Sequence, residues 1–235
     1  MSSTQEKPSD ERLRSEFNDW ARAGRGAGME RGHRPVGEQA IELMAVPLNA
    51  RVLDVGCGSG WASRLLAEKA REGSVVGIDI ADEMIKVARD ESASFPNVEF
   101  QVASAEKLPF ADGEFSHAFS MESLYYYTDM LQALQEIKRV LQPGGLFVTV
   151  VDLYRENAPT EQWVEQLKVP VQFLSTAEYA ALFARAGFVK VLDQRLYDPG
   201  PIPADYSGSM FKTREDYFNY RAAGSLMMSG EVARA

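Results

Sequence analysis

The feature that most constrains the fold is an alternation of short β-rich runs with helix-like segments, which begins at residue 51. Runs such as VVGI and FVTVV are almost entirely apolar, and longer segments of helical character separate them. A strand, a helix and a second parallel strand form a right-handed βαβ unit, and repeated units build a parallel sheet with helices on both faces. Nearly continuous apolar strands are typical of sheets covered in this way. The pattern therefore predicts an α/β fold.

The predicted elements divide the chain into three parts of one domain over residues 1–235. Residues 1–46 form an N-terminal helical cap, residues 47–197 the core, and residues 198–235 an insertion and a closing strand. The predicted strands cover residues 51–55, 75–80, 98–103, 116–121, 145–154, 189–197 and, antiparallel to the rest, 224–230. The predicted helices cover residues 13–23, 36–46, 61–73, 81–93, 128–141, 176–188 and 213–221.

The cap is predicted to contain a loop between its two helices. The segment GRGAGMERGHRP, residues 24–35, holds four glycines, which disfavour a regular helix. Residues 1–12 are polar and are expected to be disordered or frayed. We hypothesise that the first helix and the glycine-rich loop form a mobile lid.

Composition excludes several classes of function. The 235 residues carry 25 Lys and Arg against 34 Asp and Glu, a net charge of −9, which argues against a nucleic-acid partner. No run approaches the length of a membrane span, and the polar start lacks the apolar region of a signal peptide. The single cysteine excludes an internal disulfide and fits the cytoplasm. With two histidines and one cysteine, no metal site is expected.

The first strand ends in a glycine-rich turn, VLDVGCGSGW. Gly56, Gly58 and Gly60 lie between a strand and a helix, where bare backbone and free N–H groups can approach a ligand. The spacing is G-x-G-x-G and not the G-x-G-x-x-G of dinucleotide folds. Asp54 would repel a pyrophosphate, but its carboxylate could organise a cationic or amino-acid-bearing ligand. Cys57 is expected to be a small buried residue and not a nucleophile.

The second strand ends in GIDIAD, which indicates a ribose-binding acid. Asp79 lies 19 residues after Gly60, where a carboxylate can accept hydrogen bonds from ribose hydroxyls. Ile80 would then pack near the adenine face. A solvated acid at a strand end is the structural alternative for Asp79.

Four motifs in this order, VLDVGCGSG, GIDI, AEKLPFADGEF and VLQPGGLF, resemble class I S-adenosylmethionine-dependent methyltransferases. The resemblance is strongest to the small-molecule group that includes ubiquinone and menaquinone C-methyltransferases, and it covers roughly residues 36–195. It implies a Rossmann-like, doubly wound, three-layer α/β/α fold whose seven-stranded sheet is mostly parallel with an antiparallel last strand. It also implies that S-adenosylmethionine is the cofactor and S-adenosylhomocysteine the product.

The resemblance places the cofactor along several strand ends. Asp54 and the glycine turn would hold the methionine part, and Asp79 the ribose. Similar proteins often carry an aspartate after the third strand, where this chain has Ser104, which can still accept one hydrogen bond. The expected cofactor-binding set is Asp54, Gly56, Cys57, Gly58, Gly60, Asp79, Ile80, Met84, Ser104, Ala105, Glu106, Ser120 and Met121.

The acceptor is expected to be a small molecule bound by the cap, the SLYYY segment and the tail. Glu122 and His33 are the candidate general bases. The alternative for Glu122 is a helix-capping or solvated acid, and the alternative for His33 is a surface histidine with no role. The candidate substrate-binding residues are Trp20, Tyr125, Tyr126 and Tyr206, each of which has a purely structural alternative. Asp152 and Tyr154, at the exit of the fifth strand, are expected to contribute to the same pocket. The protein is expected to be a monomer or a homodimer.

Two other functions are consistent with a Rossmann-like fold. An NAD(P)-dependent oxidoreductase is disfavoured by the glycine spacing, by Asp54 and by the lack of a Tyr-x-x-x-Lys set. A non-catalytic regulatory protein that binds S-adenosylmethionine is slightly favoured by Ser104, but the intact glycine turn and Asp79 argue against it. Among methyltransferases, C-, N- and O-methylation all stay open.

Overall fold

The computed structural model describes residues 8–202, 208 and 210–234. Seven strands form the sheet: β1 (Arg51–Val55), β2 (Ser74–Asp79), β3 (Val98–Val102), β4 (Phe115–Met121), β5 (Leu141–Val151), β6 (Val189–Leu196) and β7 (Ser225–Glu231). The helices are α1 (Pro8–Arg22), α2 (Gly26–Leu43), α3 (Trp61–Lys69), α4 (Asp82–Glu91), α5 (Met130–Val140), α6 (Glu161–Gln166), α7 (Thr176–Ala186) and α8 (Arg214–Ala223). Short 3₁₀ turns lie at Leu124–Tyr126 and Ala158–Thr160.

The strands lie in the order β3-β2-β1-β4-β5-β7-β6. All neighbouring strands pair in parallel except β7, which is antiparallel to both β5 and β6. The expected Rossmann-like, seven-stranded sheet with an antiparallel last strand is therefore confirmed. The strand order reverses between β1 and β4, which is the position where open α/β sheets bind their ligands.

The two faces of the sheet are covered by different helices, as a three-layer fold requires. Leu53 and Val55 of β1 pack in the core that holds α5 and α7, whereas Val52 packs in the core that holds α2 and α3. This alternation follows from the two-residue period of a strand, which sends successive side chains to opposite faces. All three side chains are fully buried.

The prediction of a loop over residues 24–35 is wrong, because α2 begins at Gly26 and continues through the rest of this segment. Packing overrides the low helix propensity of glycine. A Cβ atom on Gly37 would lie 2.5 Å from the Trp61 ring, so the absence of a side chain is what lets α2 approach α3 closely. Arg34 also pairs with Glu30 and Glu38, one helical turn away on either side.

The disorder expected over residues 1–12 is wrong from residue 8 onward, since α1 begins at Pro8. Asp10 and Glu11 lie in the first described turn, where acidic side chains complement the helix dipole. The side chain of Asn18 then links α1 to the start of α4. It donates to Asp82 at 2.8 Å and accepts from the backbone N–H of Glu83 at 3.0 Å. Residues 1–7 lie outside the described part of the chain.

The carboxyl ends of β1 to β5 meet at one edge of the sheet, beneath α1 and α2. These strand ends lead into the glycine turn, Asp79, Ala103, Glu122 and Asp152, respectively. The fold thus collects most of the predicted site residues at one edge. Among the described residues, no helix combines the length and the apolar character that a membrane crossing needs.

Candidate active site

One cavity of about 900 Å³, including its open mouth, lies at this edge of the sheet. Its floor is formed by the residues that follow β1, β2, β3 and β4, and residues of α1 and α2 line it from the cap. Ten of the expected cofactor-binding residues line it: Gly56, Cys57, Gly58, Asp79, Ile80, Met84, Ser104, Ala105, Glu106 and Met121. His33 and Glu122 line the same cavity.

The glycine turn has a backbone that side chains would not permit. Gly56, Gly58 and Gly60 all have positive φ, at 74°, 52° and 78°. A Cβ atom on Gly56 would lie 2.4 Å from the Ser123 hydroxyl, whereas one on Gly58 would meet no atom within 4 Å. The turn is therefore closed on its β4 side and open toward the cavity at Gly58, which leaves bare backbone for a ligand.

Asp79 is fixed by backbone donors on both of its oxygens. Its Oδ2 accepts from the N–H of Gly58 at 3.0 Å, and its Oδ1 accepts from the N–H of Ala81 at 2.9 Å. A carboxylate offers about four acceptor positions, so these two hydrogen bonds leave room for hydroxyl donors from a ligand. Burial raises the pKa of the Asp79 carboxyl, although these hydrogen bonds oppose the shift. The arrangement is a rigid acceptor for two neighbouring hydroxyl groups.

Asp54, Gly60 and Ser120, also expected to bind the cofactor, do not line the cavity. Asp54 is buried behind the glycine turn and accepts a hydrogen bond of 2.5 Å from the Ser63 hydroxyl. Burial raises the pKa of Asp54 to about 7, although the bond from Ser63 opposes the shift. Gly60 precedes α3 and packs on the Phe100 ring. The geometry thus shows Asp54 and Gly60 supporting the turn from behind.

Ser120 belongs to a hydroxyl network between β4 and β1. Its Oγ lies 2.6 Å from the Oγ of Ser123, which donates to the carbonyl of Val55 at 3.0 Å and lies 2.8 Å from the Tyr127 hydroxyl. Ser123 and Tyr127 line the cavity, whereas Ser120 is fully buried behind them. The network ties the exit of β4 to the glycine turn.

The exit of β3 offers smaller groups at the far end of the cavity. Ser104 Oγ accepts from the backbone N–H of Glu106 at 3.3 Å, and Glu106 in turn accepts from the N–H of Asp129 at 2.8 Å. Ala105 and Met84 are buried and apolar in the same wall. An apolar wall with a few polar groups beside it suits an aromatic base.

Glu122 lies directly after β4 in a strained conformation, with φ at 53°. Its carboxylate accepts from the Tyr125 hydroxyl at 2.8 Å and from the backbone N–H of Asp152. Burial and the nearby charge of Asp152 raise the pKa of Glu122 well above its usual range. A non-glycine residue at positive φ costs energy and persists only where its surroundings impose it.

His33, Glu122 and Asp152 form a cluster that was not expected from the sequence as a unit. One donor atom of each, a ring nitrogen or a carboxylate oxygen, lies within 4.8 Å of the other two. Burial lowers the pKa of His33, and the charge of Asp152 only partly offsets this. His33 is therefore mainly neutral at pH 7, and its imidazole can accept a proton or coordinate a cation.

Comparison with known proteins identifies the fold family. The family described as a methyltransferase domain matches residues 53–149. A chain from the solved complex between the Haloferax volcanii Trm112 methyltransferase activator and a protein assigned as a methyltransferase is 34% identical, with a TM-score of 0.87. The alignment covers 93% of this chain and 98% of that one. The chain belongs to the class I S-adenosylmethionine-dependent methyltransferases.

Two curated relatives of this methyltransferase carry the same name. The demethylmenaquinone methyltransferase of Listeria welshimeri is 35% identical over 125 residues, which is 52% of this chain and 52% of the relative. The enzyme of the same name from Staphylococcus aureus is 28% identical over 185 residues, which is 68% of this chain and 76% of the relative. The chain thus spans about half the length of the first of these relatives.

The expected substrate-binding residues of the methyltransferase separate into three groups. Tyr126 lines the cavity and packs edge-on against Phe17 of α1. Tyr125 does not line it, since it is buried with its hydroxyl on Glu122. Trp20 also lies outside the cavity wall and donates to Glu16, so the structure does not bring it to the site. Tyr206 lies outside the described residues.

Several residues that line the cavity of the methyltransferase were not predicted from its sequence. Leu13 lies one helical turn before Phe17, and this apolar spacing on α1 was the available signal. The other missed residues are Asp10, Ser59, Trp61, Ile78, Ala103 and Thr128. Most of them lie next to a predicted residue in the sequence. The motifs therefore identified the strand ends that form the cavity, but not every side chain at those ends.

Proposed function

We propose that the chain transfers a methyl group from S-adenosylmethionine to a small-molecule acceptor, and that the acceptor binds beside His33. The observation that carries this proposal is a single cavity lined by two groups of residues. The glycine turn and Asp79 form what we call the cofactor end, and His33 and Glu122 form what we call the acceptor end. A cofactor site and a cluster able to handle a proton are the two parts that such a transfer needs.

The residues at the first end fit the cofactor. The open backbone at Gly58 leaves room for close approach, and Asp79 would accept from the two ribose hydroxyls. Ile80 and Met84 would contact the adenine ring, with Ser104 and the N–H of Ala105 near its polar edge. Asp54 lies behind the turn with a pKa of about 7, so a cationic ligand would favour its ionised form and would in turn be stabilised by it. When bound, S-adenosylmethionine supplies an activated methyl group on a sulfonium.

The residues at the second end would favour the deprotonated acceptor. His33 would be neutral at pH 7 and able to accept a proton, because burial lowers its pKa. Asp152 would stabilise the positive charge that His33 gains with the acceptor proton, because its carboxylate lies within 4.8 Å. Glu122 and Tyr125 would hold the acceptor side of the cluster in place.

The acceptor is proposed to be planar and apolar, with an acidic hydroxyl at or next to the methylated atom. Phe17, Met29 and Tyr126 give this end of the cavity an aromatic and thioether lining, which suits a flat ring. The names of the curated relatives add support for a reduced demethylmenaquinone or a similar phenol.

The function is tested with S-adenosylmethionine labelled in its methyl group. The full chain is incubated with a panel of phenols, hydroquinones including reduced demethylmenaquinone, and amines. We expect label in a hydroquinone or phenol and release of S-adenosylhomocysteine, and we expect His33→Gln to lose most of the transfer while still binding S-adenosylhomocysteine. Tight binding of NADH without S-adenosylhomocysteine binding would instead support an oxidoreductase. Cofactor binding without any transfer to a metabolite extract would support a regulatory protein.

We also propose that a Trm112-type activator binds this chain. Support comes from the solved structure that matches it almost throughout, which contains such an activator. Co-expression with Trm112 followed by size-exclusion chromatography with light scattering separates a heterodimer from the expected monomer or homodimer. Recovery of the two proteins in separate peaks at micromolar concentration would reject the partner.

We propose the cytoplasm as the compartment of this activity. Cys57 is buried and free in the glycine turn, and a reducing environment keeps such a thiol unmodified. Fractionation of expressing cells measures this directly, and recovery in a secreted fraction would contradict it.

A further inference from the structure

We propose that His33, Glu122 and Asp152 bind one divalent transition-metal cation at the acceptor end of the cavity. The site draws on three separate elements: α2, the residue after β4 and the residue after β5. One donor atom from each lies within 4.8 Å of the others, a spacing that a shared cation can bridge after small side-chain movements. The cation's role in methyl transfer rests on the proposed function, whereas its binding does not.

The buried carboxylate of Asp152 is the observation that points to a ligand. Asp152 is 2% exposed, and its Oδ1 has no hydrogen-bond partner among the residues that the structure describes. Its other oxygen, Oδ2, accepts a bond of 2.6 Å from the Tyr220 hydroxyl. A buried carboxylate oxygen without a partner is costly, because the water it lost has not been replaced. A bound cation would replace that water.

Glu122 adds a second carboxylate with coordination capacity. Each of its oxygens accepts one hydrogen bond, from Tyr125 and from the N–H of Asp152, so each keeps a second lone pair. Two carboxylates held this close repel one another in a buried site. A divalent cation between them converts that repulsion into attraction.

His33 decides the class of cation. A neutral imidazole nitrogen combined with two carboxylates is a donor set that favours Mn²⁺, Fe²⁺, Co²⁺ or Zn²⁺ over Mg²⁺ and Ca²⁺, which prefer all-oxygen sites. His33 and Glu122 both line the cavity, so coordination positions not taken by the protein would face the acceptor. The acceptor class that fits is therefore one with an oxygen able to coordinate, such as a phenol or hydroquinone.

The surrounding residues resemble the outer shell of a metal site. Tyr220 of α8 donates to Asp152, and Tyr125 donates to Glu122, so each carboxylate is oriented by a phenol. Such partners orient the ligands of metal sites and typically affect affinity about 10- to 100-fold. A bound cation would lower the pKa of a coordinated acceptor hydroxyl. Because the cation would occupy the acceptor nitrogen of His33, this effect would replace proton transfer to His33 and not add to it.

The experiment measures binding of Co²⁺ and Zn²⁺ to the full chain without cofactor or acceptor. Equilibrium dialysis gives the stoichiometry, and the visible absorption of bound Co²⁺ reports on its ligands. We expect one cation per chain, with at least about tenfold weaker binding in Asp152→Asn and in His33→Gln. Tyr220→Phe keeps all three ligands and is expected to weaken binding about tenfold through the outer shell.

Glu106→Gln is the matched control, because it removes a carboxylate from the same cavity outside the cluster. It is expected to bind Co²⁺ as the wild type does, and circular dichroism checks that each variant is folded. Absence of stoichiometric binding to the wild type overturns the proposal, as does unchanged Co²⁺ affinity in folded His33→Gln. Because no methyl transfer is measured, failure here leaves the proposed function standing, and loss of that function leaves this result intact.

Discussion

The two ends of the cavity are built in different ways. At the cofactor end, Asp79 receives two backbone hydrogen bonds, from Gly58 and Ala81, which lie three and two residues after the ends of β1 and β2. At the acceptor end, His33, Glu122 and Asp152 come from distant parts of the chain, and one carboxylate oxygen has no partner among the described residues. The first end is complete without a ligand, whereas the second has unsatisfied charge. The contrast suggests that the cofactor end is preformed and that the acceptor end depends on what it binds.

The largest expected effect comes from Asp79→Ala, which removes the acid at the cofactor end. Hydrogen bonds to a charged group contribute about 1.5–3 kcal/mol each, so loss of two ribose bonds should weaken S-adenosylhomocysteine binding about 10²- to 10⁴-fold. Calorimetric titration measures this, with Co²⁺ binding at the other end as the internal control. Near wild-type affinity for S-adenosylhomocysteine would remove Asp79 from the cofactor site.

The next effect concerns Asp54, which supports the cofactor end from behind. Its folded pKa is raised to about 7 from an ordinary 3.8, so its contribution to stability is full below about pH 4 and is lost as the pH rises through 7. The change is about 4 kcal/mol at most, since each pKa unit corresponds to about 1.4 kcal/mol. Urea unfolding between pH 4 and 8 should show a smaller loss of stability with rising pH in Asp54→Asn than in the wild type, because Asp79 and Glu122, whose pKa values are also raised, contribute to both. Equal slopes would contradict the assignment.

At the acceptor end, His33→Gln should lower kcat about 10²- to 10³-fold without changing S-adenosylhomocysteine affinity. Both a base and a metal ligand must be neutral, so wild-type activity should rise with pH through a pKa below the ordinary 6.5. The variant should lose that rise. If its affinity for S-adenosylhomocysteine fell as far as its kcat, the two ends would not be independent.

The smallest effect is expected from Ser104→Asp at the adenine end. A charged acceptor makes a stronger hydrogen bond than a hydroxyl, by about 1 kcal/mol, so cofactor binding should tighten about fivefold. Ser104→Ala is the matched control and should weaken binding slightly. Calorimetry on both variants measures the difference, and unchanged affinity in both would show that Ser104 does not contact the cofactor.

The same contrast explains what the sequence could predict. The glycine turn and Asp79 lie in short contiguous motifs, so their positions followed from local spacing and from the sheet order. His33 and Glu122 were expected individually, but their approach to Asp152 depends on how α2 packs over the sheet. That packing was missed because residues 24–35 carry four glycines, and their low helix propensity concealed the close contact of Gly37 with Trp61. Local propensity does not contain this information.

The hydrogen bond between Tyr220 and Asp152 links the acceptor end to a peripheral helix. The match to the methyltransferase domain covers residues 53–149, so both partners of this bond lie outside the matched segment. Tyr220 lies in α8, and no residue of α8 lines the cavity. Substitutions in this helix can therefore alter the acceptor end while the glycine turn and Asp79 stay unchanged, which makes α8 a place to engineer acceptor choice without losing the methyl donor.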